Sequence, residues 1–218
     1  MGDFGKIGII GGYAQINSKE YGKIGAEYSY QKEFDSNPDI GYKLACKANA
    51  LIGKGNIGGS AGVYAGLDFA KTQCTQYNLG LMADYTRAGE KSFKTSDYTV
   101  DYSDNFKVLG ISEGAHHTLR AGGELGFTRN LCCDENQKLH IALQGGAEFA
   151  PKIQLVDENN GTIEVNYPEK LNNIKPFMGA KAVYSTVVNN KGNEIFFRGD
   201  CQLSKHNSQG SVGIGFRF

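Results

Sequence analysis

The C-terminal stretch GSVGIGFRF, residues 210–218, alternates between apolar side chains and small or charged ones. Val212, Ile214, Phe216 and Phe218 fall on one face, while glycines and one arginine fall on the other. This two-residue period is that of a β-strand. The chain ends on an aromatic residue with no polar tail after it, so the direction of this apolar face has to be inferred from the other strands.

The same alternation recurs along the whole chain. In GYKLACKANALI, residues 41–52, Leu44, Cys46 and Ala48 alternate with lysines and an asparagine. Roughly ten to twelve such segments are present, including a weaker hairpin at residues 93–111, and twelve strands is the favoured count. Short turns rich in Gly and Asn join most of them, so neighbouring strands must be antiparallel. The sequence predicts an all-β fold, an antiparallel up-and-down barrel that forms a single domain over residues 1–218.

Composition excludes several classes of function. Lys plus Arg and Asp plus Glu number 23 each among 218 residues, so charge gives no argument for binding nucleic acid. No run of about twenty apolar residues exists, but a membrane β-strand needs only about ten residues of alternating polarity. The opening MGDFGK has neither a basic start nor an apolar core, so we expect no signal peptide in this sequence.

Strand alternation alone allows a soluble barrel, with its apolar faces inside, or a membrane barrel, with its apolar faces outside. The polar faces are rich in glycine, which weakens a solvent-facing strand but makes room inside a crowded lumen. Large aromatic residues on the apolar faces lie towards strand ends, as in the aromatic girdles of membrane barrels. These features favour the membrane barrel.

On this interpretation the polar faces line the lumen, where the charges are balanced. We expect lateral ion pairs across neighbouring strands, which either plug the lumen or leave a narrow, weakly selective pore. This predicted lumen charge set comprises Lys23, Glu27, Lys43, Lys47, Asp68, Asp84, Arg120, Glu124, Glu148, Lys181, Glu194, Arg198, Asp200 and Arg217.

Residue types that could support catalysis or metal binding are not spaced for either. The five cysteines lack the paired spacing of a zinc site. We expect them to have a structural role, with Cys46 and Cys201 on apolar faces as small hydrophobes, and a disulfide involving Cys74 or the adjacent Cys132 and Cys133 is the alternative. His206 and Ser208 are close in sequence but lack an orienting acid. We therefore expect no catalytic residues, no cofactor and no metal.

Several stretches resemble bacterial outer-membrane β-barrels. The final strand, residues 210–218, resembles the C-terminal strand of these outer-membrane barrels. In that family the last aromatic residue helps the barrel-assembly machinery to recognise the protein that it inserts. Residues 49–88, NALIGKGNIGGSAGVYAGLDFAKTQCTQYNLGLMADYTRA, look like a hairpin region of autotransporter β-domains, and residues 174–185 and 196–218 look like their last strands. Opacity-type surface antigens share much of the pattern.

The resemblance implies a bacterial outer-membrane location, with membrane lipids and the barrel-assembly machinery as partners. Val212, Ile214, Phe216 and Phe218 would form the assembly signal. A non-enzymatic translocator-like or surface-exposed barrel is the leading hypothesis, with a narrow porin or solute channel and a soluble ligand-binding barrel as alternatives. Both chain ends would be periplasmic, so the long connection at residues 156–174 would be extracellular and could contact a partner. Either an upstream passenger has been removed or the barrel stands alone.

Overall fold

A computed structural model describes residues 5–54, 56–72, 74–90, 116–131, 136–149, 154–158, 162–166, 174–189, 191–205 and 207–218. Ten long antiparallel strands form a closed barrel, and two short strands, β8 and β9, pair only with each other. The strands are β1 (Lys6–Ile16), β2 (Lys19–Phe34), β3 (Asn37–Ile52), β4 (Asn56–Phe69), β5 (Thr75–Glu90), β6 (His116–Asn130), β7 (Gln137–Phe149), β8 (Gln154–Glu158), β9 (Thr162–Asn166), β10 (Ile174–Val187), β11 (Glu194–Ser204) and β12 (Ser208–Arg217).

The barrel closes where β1 pairs with β12. Ile7 and Phe218 exchange two backbone hydrogen bonds at one end of this seam, of 3.1 and 3.0 Å. At the other end Asn17 donates from its backbone N–H to the carbonyl of Ser208 at 2.9 Å. We call the end with Ile7 and Phe218 the termini rim and the opposite end the loop rim. The last strand therefore closes the barrel on the first, as the predicted up-and-down barrel requires.

The strands are strongly staggered around the ring. The stagger is obtained by stepping from Gly12 on β1 to its cross-strand partner, and from that residue to its own partner, around the ring. Stepping through β2, β3 and β4 leads to Ala88 on β5, whereas stepping through β12, β11, β10, β7 and β6 leads to Gln76 on β5. These two positions are 12 residues apart. A stagger of this size tilts the strands by about 35–45° and leaves an interior that side chains can fill.

The favoured count of twelve strands is wrong, because the barrel has ten. The hairpin predicted at residues 93–111 lies outside the described residues, and β5 pairs directly with β6, which leaves no room for a strand between them. Within the long connection at residues 156–174, the described part before β10 belongs to the β8–β9 hairpin, while β7 pairs directly with β10.

That connection is not the only long one. The link between β5 and β6 contains about as many residues as the link between β7 and β10. Because strand direction alternates around the ring, both links begin and end at the loop rim. The remaining turns are short. Between β1 and β2, Asn17 and Ser18 have φ values of 47° and 65°, the two consecutive positive values that a two-residue hairpin turn requires.

Burial follows the strand alternation but is inverted relative to a soluble barrel. Outward-facing Leu81, Met178 and Leu143 are 73%, 69% and 64% exposed, whereas inward-facing Arg120 and Glu148 are 1% and 0% exposed. The apolar faces therefore point out and the charged faces point in. Within the described part of the chain, no helix is long and apolar enough to cross a membrane.

Among the residues that the structure describes, aromatic rings on the outer face are concentrated at the termini rim. Four groups of rings are in contact there, with centroids 5.4–6.3 Å apart: Tyr30 and Phe34 with Tyr42, Phe69 and Phe127 with Tyr77, Tyr184 with Phe197, and Phe216 with Phe218. At the loop rim the outer face carries Tyr13 and Tyr85, and the centroid of the Tyr85 ring is 6.2 Å from that of the His117 ring.

The cysteines do not all follow the favoured interpretation. Cys46 and Cys201 have free thiols and lie exposed on the outer face, which is the apolar face that the alternation predicted for them. Cys74, in the turn between β4 and β5, is disulfide-bonded, so the disulfide alternative holds for this residue. Cys132 and Cys133 lie outside the described residues. The alternation identified an apolar-facing side for Cys46 and Cys201 but could not show that this side is the outer wall.

Close backbone contact across the closing seam requires glycine at position 12. A Cβ atom on Gly12 would lie 2.1 Å from the backbone oxygen of Val212, whereas a Cβ on Gly11 would have no atom within 4 Å. We expect Gly12→Val to lower the free energy of unfolding by about 1–3 kcal/mol, because the β1–β12 backbone must move apart. Gly11→Val should leave it unchanged or raise it. Urea unfolding in detergent micelles, followed by circular dichroism, measures both, and equal effects would contradict this account of the seam.

Candidate functional site in the barrel lumen

The candidate site is the lumen, because every residue of the predicted lumen charge set lies on the inner face of its strand. Eleven of the fourteen take part in ion pairs. Two of the other three form hydrogen bonds instead. Lys23 donates to the hydroxyl of Ser211 at 2.9 Å, and Asp68 accepts from the amide of Gln31 at 2.8 Å. Lys43 lies on the same inner wall, on the strand next to Asp68.

The most buried ion pair lies near the loop rim. Arg120 and Glu148 are opposite each other on β6 and β7, and Arg120 reaches Glu148 Oε2 from Nε and Nη2, both at 2.7 Å. The Nη1 atom of Arg120 donates to Gln202 and, at 2.9 Å, to Gln209. The other carboxylate oxygen of Glu148 accepts a hydrogen bond from Ser204. Both oxygens of Glu148 and the Nε and Nη1 atoms of Arg120 therefore have hydrogen-bond partners, which stabilise a buried ion pair.

Apolar side chains complete the same level of the lumen. Ala14, Ile16, Tyr21, Leu51 and Ala88 form a cluster in which each residue is at most 2% exposed. Ile16 is directly opposite Gln209 across the β1–β12 seam, so this cluster adjoins the polar one. We call the two clusters together the loop-rim seal.

Two contacts in the lumen join strands that are four positions apart in the ring of ten. Arg120 on β6 bonds to Gln209 on β12, and Lys181 Nζ on β10 lies 5.8 Å from the centre of the Tyr64 ring on β4. Such strands are almost diametrically opposite. Side chains therefore bridge the full width of the lumen, once at the loop-rim seal and once near mid-height.

Below the seal, the charges form a denser network around Glu124 and Glu27. Lys181 Nζ is 2.7 Å from both carboxylate oxygens of Glu124, which also accepts from Gln144 at 2.8 Å. On the opposite wall, Arg217 Nε is 2.6 Å from Glu27 Oε1. Further contacts extend this second group to Arg198, Asp200, Glu194 and Lys6.

Several ion pairs pass over a glycine on the strand between them. Lys47 on β3 is 2.9 Å from Asp84 on β5, and a Cβ on the intervening Gly62 would be 2.2 Å from Asp84 Oδ1 and 2.8 Å from Lys47 Cε. The Tyr64 ring lies in the same way over Gly66 and Gly80, where a Cβ atom would be 2.3–2.7 Å from the ring and its hydroxyl. Glycine on the polar faces thus makes room for long side chains.

Sequence reasoning missed the neutral and aromatic partners of the network. Gln202 and Gln209 accept from Arg120, and the rings of Phe177 and Phe196 lie 5.7 and 4.2 Å from the guanidinium groups of Arg120 and Arg217. Lys6 was also missed, although it pairs with Glu194 at 2.6 Å. Inward parity in the strand pattern identifies the neutral and aromatic partners, which a search restricted to charged residues misses, and it also places Lys6 on the inner face of β1.

The four residues of the predicted assembly signal all face outwards. Val212, Ile214, Phe216 and Phe218 are 59%, 52%, 38% and 55% exposed on the outer wall of the closing strand. Phe218 ends at the termini rim. Their role in assembly stays a prediction, which a comparison of insertion in cells with refolding in detergent would test for Phe218→Ala.

Comparisons with known proteins bear on the fold. No protein-family model matches the chain, and no curated protein sequence is significantly similar to it. Among solved structures, the chain is similar to the β-domain of the Bordetella autotransporter BrkA, with a TM-score of 0.48, 9% identity and 98% of each chain covered.

It is also similar to the transport unit of the autotransporter AIDA-I from Escherichia coli, with a TM-score of 0.38, 11% identity, and 98% of this chain and 89% of that chain covered. For the Pseudomonas putida toluene transporter TodX the TM-score is 0.35 and the identity 11%, and the match covers 95% of this chain and 66% of TodX. A resemblance to autotransporter β-domains, predicted from the sequence, is thus found together with one to toluene transporters.

The loop-rim seal generates a prediction about stability. Arg120→Met leaves Glu148 buried without its cation, so we expect the free energy of unfolding to fall by about 3–5 kcal/mol. Adding Glu148→Leu should recover part of this loss, because the uncompensated charge is removed. The control is Lys71→Met, which breaks the exposed pair with Glu33 and should cost at most about 1 kcal/mol. Urea titration in micelles measures all three, and an Arg120 effect no larger than the Lys71 effect would contradict the prediction.

Proposed function

We propose that this protein is a bacterial outer-membrane β-barrel without enzymatic activity, whose lumen is closed by its own side chains. The observation that carries the proposal is the inverted polarity of the wall, with Leu81 73% exposed on the outside and Arg120 1% exposed on the inside. A barrel satisfies all its backbone hydrogen bonds internally, and an apolar outer wall is stable in hydrocarbon.

A soluble ligand-binding barrel is not supported. Large apolar side chains are exposed on the outer face of every barrel strand from β1 to β12. Soluble monomers seldom expose a contiguous apolar patch above roughly 300–600 Å². An apolar belt that surrounds the molecule would favour aggregation in water, whereas in a membrane the lipid chains cover this apolar surface.

The filled lumen favours a surface-exposed barrel over a translocator. A segment threaded through the lumen would have to displace the Arg120–Gln209 and Lys181–Tyr64 contacts, which bridge the full width. A narrow solute channel is the second candidate. It is favoured by the partial exposure of charged side chains below the seal, 30% for Lys47 and 20% for Arg217.

The two long connections give the loop rim its proposed role. With the chain ends on the periplasmic side, the links between β5 and β6 and between β7 and β10 would face the cell exterior. Membrane barrels carry their longer loops on that side. We propose that an extracellular partner binds there, including at the connection of residues 156–174. If partner binding were unchanged after both links had been replaced by short turns, this proposal would be contradicted.

Lysine substitution on the outer wall tests the membrane location. Leu81 lies near mid-height on β5, and Ile57 lies beside the loop rim on β4. In lipid vesicles we expect Leu81→Lys to lower the free energy of unfolding by about 2–4 kcal/mol and Ile57→Lys by at most about 1 kcal/mol. A protein that is monomeric without detergent, or that tolerates both changes equally, would rule out the membrane barrel.

Conductance in planar bilayers separates the closed barrel from the channel. We expect the wild-type protein to stay at background, because the loop-rim seal blocks the lumen. The double variant Arg120→Ala/Gln209→Ala removes one bridge and should raise the conductance several-fold, while Lys71→Ala should not. Heat-modifiable migration on a gel checks that each variant is folded. Stable channel openings of the wild type would favour the solute channel.

A further inference from the structure

The lumen is sealed at the loop rim but accessible to water at the termini rim. The apolar side chains of the loop-rim seal are at most 2% exposed, whereas the inward-facing side chains of Arg217 and Lys6 are 20% and 44% exposed. Lys43 and Lys138, on the inner faces of β3 and β7, are partly exposed as well. We call the inner wall between the Lys181–Tyr64 contact and the termini rim the vestibule.

Cationic side chains outnumber acidic ones on the vestibule wall. Deeper in the lumen, Glu124 is matched by Lys181. Glu27 is matched by Arg198 as well as by Arg217. A cleft with an excess of one sign of charge raises the local concentration of ions of the opposite sign. Among the described residues, the vestibule carries the cations Lys6, Lys43, Lys138 and Arg217 and the acids Asp68 and Glu194.

Two of these cations have no close partner. Among the described residues, neither Lys43 nor Lys138 makes a hydrogen bond or an ion pair, and Lys43 has longer-range charge interactions, the first with Asp68. Their strands, β3 and β7, are four positions apart in the ring of ten and lie on almost opposite walls. The charge of Lys43 acts on His140, which is two residues from Lys138 on the inner face of β7. The two ammonium groups therefore face one water-accessible space.

We propose that the vestibule binds a small oxyanion that carries two negative charges, such as phosphate, between Lys43 and Lys138. An ammonium group offers three hydrogen-bond donors and binds phosphate as a point charge. A doubly charged anion is attracted by both ammonium groups, whereas a singly charged anion gains about half as much. Ser185, directly opposite Lys138 on β10, adds a hydroxyl donor at the same level. This inference depends on the barrel and its seal rather than on a membrane location, so it goes beyond the proposed function.

Lys175 provides the matched control. It is also an inward-facing lysine without a hydrogen bond or ion pair among the described residues, but it lies at the loop rim, directly opposite Glu148. Methionine removes the charge and keeps most of the length of the side chain, so Lys43→Met, Lys138→Met and Lys175→Met have the same net charge. Because none of these lysines is tied to another side chain, we expect all three variants to fold, and heat-modifiable migration on a gel checks this.

The experiment is isothermal titration calorimetry of the barrel in a non-ionic detergent, with inorganic phosphate or acetate at constant ionic strength and at mildly alkaline pH, where phosphate carries two negative charges. We expect the wild type to bind phosphate at least about tenfold more tightly than acetate. Lys43→Met and Lys138→Met should each weaken phosphate binding about tenfold, and Lys175→Met should change it by less than about twofold. Short-chain phosphatidylglycerol should not compete, because its acyl chains would have to enter a polar lumen.

The proposal would be overturned if the wild type bound no phosphate, bound phosphate and acetate equally, or kept its phosphate affinity in both Lys43→Met and Lys138→Met. An equal loss in Lys175→Met would overturn it too, since the effect would then come from net charge alone. Competition by phosphatidylglycerol would assign the anion site to a lipid headgroup instead. A protein that fails here but shows the expected lysine penalty at Leu81 remains a closed membrane barrel without this anion site.

Discussion

Closure of the sheet is the constraint on which the rest of the structure depends. Once β1 pairs with β12, no backbone edge is left, and the stagger of 12 residues sets both the tilt of the strands and the width of the interior. Closure also decides which side chains share the lumen. Arg120 and Gln209 are distant in sequence and meet only because β6 and β12 lie across a narrow ring from each other.

The lumen of a ten-stranded barrel is too narrow for every inward-facing position to carry a long side chain. Long charged side chains must point inwards from neighbouring strands, and they would collide if every inward position carried a Cβ. Gly62 removes this conflict for Lys47 and Asp84, and Gly8 does so for Arg217 and Glu27, since a Cβ on Gly8 would lie 3.0 Å from the Cγ atom of each. The pairs that form are therefore often two strands apart, rather than on neighbouring strands as the sequence suggested.

Much of the fold was predictable, while the pairing inside it was not. Alternation at Val212, Ile214, Phe216 and Phe218 identified the closing strand, and the balance of acids and bases indicated a charged interior. The count of twelve strands failed because it included a weakly alternating hairpin at residues 93–111 as part of the wall, whereas β5 pairs directly with β6. Gln202 escaped notice because a neutral amide carries no charge, although it accepts from a buried guanidinium group.

The sequence by itself determined that the chain is a set of long antiparallel strands, each with one apolar and one polar face. A two-residue period is a local property, and turns such as the one at Asn17 are local as well. The apolar face is the outer wall, as the glycine-rich polar faces indicated. The tertiary structure alone decided that the ring has ten strands and that Arg120 bridges the lumen at one rim. These features depend on contacts between residues far apart in the chain, and alternation along one strand carries no information about its distant partners.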